Sequence, residues 1–212
     1  MCVDDPRALP GEPLSLDLAN TQFAPDGTLV DLLATAESAR SWAAAAGLTW
    51  TLDEASIAAL RQTRSAVRDA LQGRGTAPLN AVLDKARVRL TVSDTLAPAR
   101  TLQADEPAWQ PAMLAAESLL ELLETAPDRV KHCQNPDCVL WFFDTTRNGM
   151  RCWCSMAVCG NRMKARRHGE RKGAATSAGR RPGDSTGRPR TARVAHERLA
   201  RMSRRQRAGG VP

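Results

Sequence analysis

Five of the chain's six cysteines fall between residues 133 and 159, and no other feature restricts the fold as strongly. Cys133, Cys138, Cys154 and Cys159 follow the spacing C-x4-C-x15-C-x4-C, with Cys152 as an extra thiol two residues before the third. Disulfide frameworks distribute cysteines through small secreted chains, whereas a dense cluster points to metal ligation. Zinc takes four thiolates at tetrahedral corners, and two close pairs on separate turns supply them. Cys152 is an alternative ligand to Cys154, and the equal x4 spacings favour Cys154. Cys152-x-Cys154 is also a candidate redox pair. His132 and His168 lie nearby, but four cysteines already fill the shell, so both read as surface histidines. A saturated four-thiolate ion has no open position, which argues against a catalytic metal.

The segment 128–172 is too short to build a self-sufficient core. Two of the three phenylalanines and two of the five tryptophans sit between the cysteine pairs: Trp141, Phe142, Phe143 and Trp153. All four are expected to pack beside the metal, so that metal binding and folding are coupled. Asn135-Pro136-Asp137 is a knuckle turn whose backbone N–H groups can point at sulfur. Asp144 reads equally as a partner for a basic residue or the backbone and as a plain turn residue.

Charge divides the chain at the same place. Residues 1–150 hold 13 Lys and Arg against 20 Asp and Glu, while residues 151–212 hold 17 against 3. An acidic body with a basic end implies a polyanionic partner for one part only. After Cys159, a helix capped by Ser155 or Asn161 would carry Arg162, Lys164, Arg166, Arg167, Arg171 and Lys172, with Arg151 just upstream. Arginine can clamp phosphates or hydrogen-bond guanine edges, so duplex DNA is the expected partner. RNA is the competitor, since basic zinc knuckles also bind RNA. A merely solvated basic face is the plainer reading.

Upstream, the pattern is mostly helical. Leu14-Ser-Leu-Asp-Leu18 alternates, as a short strand or a first helical turn would. Thr35 caps a helix carrying Ala39, Trp42, Ala43 and Ala46 on one face, closed by Gly47. Thr51-Leu-Asp-Glu54 has capping-box spacing and opens a helix with Ile57, Leu60, Arg64, Val67 and Leu71 in one stripe. A third helix starts near Pro78, with Leu79, Val82, Leu83 and Ala86 on one face. Val88, Leu90 and Val92 alternate with polar residues, predicting a strand paired near Arg100–Leu102. A fourth helix runs from Pro111 to Ala126 on Met113, Leu119, Leu120 and Leu123. Beyond Lys172 the composition turns to Gly, Ser, Thr, Pro and Arg, which reads as disordered over 173–191, with a weak basic helix over Arg193–Arg207.

Cys154-Ser-Met-Ala-Val-Cys159-Gly160-Asn161-Arg162, preceded by Cys133-x4-Cys138 and Phe-x-Asp, resembles the CGNR zinc finger. Leu14-Ser-Leu-Asp17-Leu-Ala-Asn20-Thr21 and the later Trp42 with Gly47-Leu48 are similar to the ABATE domain that accompanies it. The resemblance spans roughly residues 10–172, closely over the finger and loosely over the body. It implies zinc ligands at Cys133, Cys138, Cys154 and Cys159, pocket residues at Asp17, Asn20, Thr21 and Trp42, and a DNA-binding, stress-induced transcription regulator. Met150 and Cys152 depart from the family pattern, which tends to have basic residues there.

The expected architecture is mainly α: a helical N-terminal domain with a small β-hairpin (10–127), a small four-cysteine zinc finger (128–172) and a disordered basic tail (173–212). The body is expected to sense a small-molecule effector or to form a homodimer, and the finger to hold one structural zinc ion and dock on DNA. Competing expectations are an RNA-binding zinc protein, a ligand-binding protein or enzyme with a structural finger, and a thiol sensor acting through Cys152. No catalytic residue is assigned: the body has no Gly-rich phosphate loop, nucleophile elbow or paired His ligands. The first residues lack the basic and apolar regions of a signal peptide, and no run approaches roughly 18 apolar residues, so the expected compartment is the cytoplasm and no membrane span is expected.

Overall fold

In the computed structural model, which describes residues 5–25 and 27–177, Leu14–Ala19 is a helix, α1. Its residues from Ser15 onwards are buried. Leu16 joins one hydrophobic cluster and Leu18 another, so α1 runs between the two halves of the core. A two-residue ribbon follows, β1 (Gln22–Phe23) antiparallel to β2 (Val30–Asp31). Helix α2 (Ala36–Ala45) opens on Thr35 and Ser38, which cap each other reciprocally. Gly47 closes it at φ +76°, where a side chain would be strained.

Helix α3 (Glu54–Leu71) starts two residues later than the Thr51 capping box predicts. Asp53 is the cap, accepting from the Ser56 backbone N–H at 2.7 Å and from its hydroxyl. The polar interruption in the α3 stripe, Arg64, donates to both oxygens of Asp31 at 2.5 and 2.9 Å and to the Thr21 hydroxyl. Burial raises the Asp31 carboxyl, but Arg64, the Leu33 N–H and Gln22 together outweigh that and hold it down at about 2. Helix α4 (Ala77–Leu83) and helix α5 (Gln110–Thr125) complete the body, with Leu79, Val82, Met113 and Leu119 in the core. Leu120 is exposed and Leu123 half-buried, so the α5 stripe is narrower than its leucine content implies.

Between α4 and α5, β3 (Ala86–Val92) and β4 (Pro98–Ala104) form the expected hairpin in full register, Ala86 opposite Ala104 and Val92 opposite Pro98. Ala86 thus belongs to the strand, not to the preceding helix face. The alternation in β3 implies a half-buried strand, but Val88, Leu90 and Val92 are more than half exposed. Only the base of the hairpin, Ala86, Leu102 and Ala104, touches the core.

The segment beyond α5 does not sit apart from the body. β5 (Val130–His132) pairs antiparallel with β6 (Trp141–Phe143), and Val130 and Trp141 are buried in the same cluster as Leu16, Met113 and Leu119. The body therefore shares a core across the boundary expected at residue 127. Helix α6 (Asn161–Ser177) continues through 173–177, which composition assigns to the tail; Ala174 and Ala175 favour the extension. Cys2, the tail from 178 onward and the helix expected at Arg193–Arg207 lie outside the described residues. No helix among the described residues is long and apolar enough to cross a membrane.

The joint between α1 and β6 is made by side chains acting as a strand. Asn20 donates through Nδ2 to the Trp141 carbonyl at 2.8 Å and accepts from the Trp141 N–H at 2.9 Å. Glu12 accepts from the Phe143 N–H at 2.6 Å. The outward backbone groups of β6 are thereby satisfied in a buried place, where leaving them bare is costly. Replacing Asn20 by Ala strands two such groups, and urea unfolding is expected to show a loss of roughly 2–4 kcal/mol.

Asp31→Asn is expected to cost about 2 kcal/mol at pH 7. The carboxylate is depressed from 3.8 to about 2, so its contribution is complete above pH 4 and fades as pH falls towards 2. The gap between parent and variant unfolding free energies should therefore close over that interval.

Candidate metal centre

The β5–β6 hairpin carries the first cysteine knuckle in its connection. The Cys133 N–H donates to the Leu140 carbonyl at 3.0 Å, and the Cys138 N–H to the Asn135 carbonyl at 2.9 Å, closing the Asn135-Pro136-Asp137 turn. The Gln134 N–H donates to the Cys152 carbonyl at 2.9 Å and fastens this knuckle to the second pair. There, Ser155 accepts from the Val158 N–H and caps a wide turn, Met156–Gly160, that leads into α6.

These turns bring Cys133, Cys138, Cys154 and Cys159 together with all four sulfurs within 4.8 Å of one another. Cys138 and Cys154 Sγ are 3.7 Å apart, and Cys154 and Cys159 Sγ are 3.5 Å apart. A Zn–S bond of about 2.3 Å sets tetrahedral corners about 3.8 Å apart, so the donor set fits one zinc ion. The Cys152 thiol is directed elsewhere and donates to the Met150 carbonyl at 3.3 Å. His132 packs edge-on against Trp141, with ring centroids 5.0 Å apart, and is outside the cluster.

The sulfurs also have the chemistry of a cation site. Hydrogen bonds from Cys138 and Cys154 pull the Cys133 thiol down to about 2, while Cys133 in turn pushes Cys138 up to about 12 and Cys154 higher still. Four ionised thiols at this spacing require a positive ion between them. Outer hydrogen bonds orient the ligands: the Cys154 N–H to Cys133 Sγ at 3.4 Å, and Asn135 Nδ2 to Cys159 Sγ at 3.4 Å. The turn thus reaches sulfur through the buried Asn135 side chain, beyond the backbone contact its sequence suggests.

The aromatic run is divided by strand alternation. Phe142 is fully buried beside the cysteines with Leu140, and Trp153 packs on that cluster. Trp141 and Phe143 face the other way, into the body core. The expectation that all four surround the metal is corrected by the period of two in β6.

Asp144 is fully enclosed and organises the loop that follows. It accepts from Lys131 Nζ at 2.7 Å, from the Thr146 N–H at 2.9 Å and hydroxyl at 2.5 Å, and from the Arg151 N–H at 2.9 Å. Burial raises its carboxyl, but these donors together hold it well below the usual carboxylate range. Of the two readings open at Asp144, the structure gives the hydrogen-bonding one. Arg151, expected on DNA, is turned inward. It lies over the Phe142 ring at 4.3 Å, donates to the Trp153 and Cys154 carbonyls, and stands 3.8 Å from Glu12. Its guanidinium braces the metal loop, which removes it from the expected DNA-contact set.

Downstream, each residue of the Cys159-Gly-Asn-Arg162 run has a distinct task. Gly160 leaves room for the Met156 thioether and the Trp153 ring, which a Cβ would meet at 2.7 and 3.3 Å. Asn161 donates to the Ala157 carbonyl at 3.2 Å. Arg162 reaches the Pro25 carbonyl at 3.4 Å and links α6 to the β1–β2 loop. Lys164, Arg166 and Arg167 are exposed, with Arg166 3.4 Å from Glu170. The side chains of Arg171 and Lys172 lie outside the described residues.

The four residues expected to form a pocket are all buried and bonded within the protein. Asp17 accepts from Trp42 Nε1 at 3.0 Å and from Arg7 at 2.9 Å; burial pushes its carboxyl up against both donors. Asn20 holds β6, and Thr21 accepts from Arg64 while donating to the Leu18 carbonyl at 2.8 Å. Glu12, Lys131 and the metal-facing role of Asn135 carry no signal readable in the sequence, since Glu12 meets Phe143 across 131 positions.

Against known families, a profile described as "Putative stress-induced transcription regulator" (ABATE) matches residues 12–126, and one described as "CGNR zinc finger" matches residues 129–172. No curated protein matches the chain.

Cys154→Ser is expected to abolish stoichiometric metal binding, whereas Cys152→Ser retains one zinc per chain; elemental analysis of the purified variants distinguishes them. Equal metal retention by both would place a ligand outside these four.

Proposed function

The chain belongs to the ABATE family, whose profile covers more than half of it, and on that premise we propose that it is a DNA-binding transcription regulator whose finger presents α6 to the duplex. One zinc ion held by Cys133, Cys138, Cys154 and Cys159 anchors the start of α6. The observation that carries the reading is the character of that helix. From Asn161 to Glu170 only Met163 is even half-buried. A helix polar on every side gains nothing from packing on its own protein. Arg162 and Arg166 share one face at i, i+4, and Lys164 and Arg167 share another at i, i+3. Arg171 and Lys172 extend the basic run, and residues 151–212 as a whole carry 17 Lys and Arg against 3 Asp and Glu. Such a helix suits phosphate contacts on both sides of a groove.

The division of labour follows: body 10–127, finger 128–172 and basic tail 173–212, with the body tied to the finger through Asn20 and Glu12. Four thiolates saturate a tetrahedral zinc, so its role is to hold the fold rather than to activate substrate. Asp17 and Trp42, joined to each other next to Asn20, are where a change in the body would reach the finger; on this reading they are the sensing elements, without direct contact to DNA.

DNA affinity should fall linearly with salt on logarithmic axes. Arg166→Ala and Arg167→Ala should each weaken binding and reduce the slope by about one, with zinc content and thermal stability unchanged. Fluorescence anisotropy with duplex DNA and structured RNA at equal salt is the measurement. Unaltered DNA affinity in both variants rejects α6 as the contact, and a preference for RNA transfers the same surface to that partner.

A further inference from the structure

The strand edges of the β5–β6 and β3–β4 hairpins differ in how far their outward backbone groups find partners among the described residues. The edge of β6 is taken by Asn20 and Glu12. On β4, Gln110 donates to the Leu102 carbonyl and accepts from the Ala104 N–H, both at 2.9 Å, and Pro98 has no N–H to offer, so only the middle of that edge, at Arg100 and the Leu102 N–H, is left uncovered among the described residues. The edge of β3 is open from Val88 to Val92. The Ser93 N–H donates to Ala97 and the Asp105 N–H to Lys85, so in this register the odd residues of β3 bond inward to β4. The N–H and C=O groups of Val88, Leu90 and Val92 therefore point outward, and they have no partner among the described residues. Arg87 covers only the first outward carbonyl, Ala86, at 2.8 Å.

The side chains of the same three residues are 57%, 69% and 64% exposed. A two-stranded hairpin with both faces in water is marginal by itself, and an open apolar edge is a template for another strand. We infer that β3 is a homodimerisation edge: two copies pair their β3 strands antiparallel about a two-fold axis at Leu90, forming a four-stranded sheet. This inference is independent of the DNA-binding reading.

Self-complementarity and charge select a second copy as the occupant. With the axis at Leu90, Val88 faces Val92 of the second copy, Leu90 faces its own equivalent, and Arg89 faces Thr91. All facing even residues are hydrogen-bonding pairs, which the free edge supplies. Moving the axis to Arg89 would set two arginines directly opposite each other, a destabilising arrangement. Because the hairpins run antiparallel, the tip of one lies along the base of the other. Asp94 at the tip, exposed and without an ion pair among the described residues, comes opposite Ala86 of the second copy, next in the chain to Lys85, which likewise has no carboxylate partner among the described residues. Attraction is thus repeated twice across the axis. The interface is small, below about 1,200 Å², so the dimer is a weak, reversible one.

Sedimentation velocity of the full, zinc-loaded chain under reducing conditions tests this, from about 1 to 200 μM, the range in which an interface of that size associates. A monomer–dimer equilibrium is expected, with amide exchange at Val88, Leu90 and Val92 slowing as concentration rises. Leu90→Pro removes an outward donor while leaving the inward ladder intact, and should weaken association at least ~10-fold, or about 1.4 kcal/mol. Protected amides at Arg89 and Thr91 verify that the hairpin remains folded. If they lose protection, Leu90→Lys decides instead, because it places two like charges on the axis. A chain that stays monomeric throughout overturns the inference and leaves the edge to a foreign strand. So does a dimer that survives whichever variant retains its hairpin.

Discussion

Four sulfurs within 4.8 Å of one another are the constraint on which the C-terminal half depends. They cannot all ionise unless a cation sits among them, and the segment around them has little apolar mass of its own. Beyond the cysteines, Leu140 and Phe142 are the buried hydrophobic residues of that cluster. Metal binding therefore substitutes for a core. The direction of α6 follows from it: Cys159 ends the ligand set, Gly160 lets the chain turn against Met156 and Trp153, and the basic helix leaves from that point.

The finger is nevertheless not a bead on a string. Trp141 and Val130 are buried in the body's core, while Ala8, Leu9 and Phe23 pack against the finger's. Asn20 and Glu12 extend β6 by hydrogen bonds that a third strand would otherwise make. Asp17 lies between these two residues on the same short segment, bonded to Trp42. α1 is thus the shared element: its Leu18 belongs to the α2 side of the core, its Leu16 to the α5 side, and Glu12 and Asn20, which flank it, hold the finger. On the proposed function, this is the physical route by which the body would act on α6.

Edge management gives the molecule a second theme. The same alternation of inward and outward backbone groups governs the β5–β6 and β3–β4 hairpins. In one, Glu12 and Asn20, which flank α1, take outward positions of β6; in the other, Gln110 and Pro98 cover the two ends of the β4 edge and leave β3 open. The apolar row on β3 is therefore a property of how the hairpin projects, since only its base reaches the core.

Much of this was written locally. Thr35 with Ser38, the x4 cysteine pairs, the Val88–Val92 alternation and the proline-bounded α5 all depend on residues a few positions apart, and their periods and spacings are visible in a linear chain. What required the tertiary structure was every decision made by distant partners. Trp141 and Phe143 leave the metal for the body; Arg151 turns inward over Phe142; and Asn20 binds a strand 121 positions away. The sequence by itself determined which residues can bind a cation, pair as strands or cap a helix, because those capacities reside in side-chain chemistry and local backbone geometry. Only the fold decided which were used and towards what, because burial and hydrogen-bond partners are set by segments that meet only when the chain is packed.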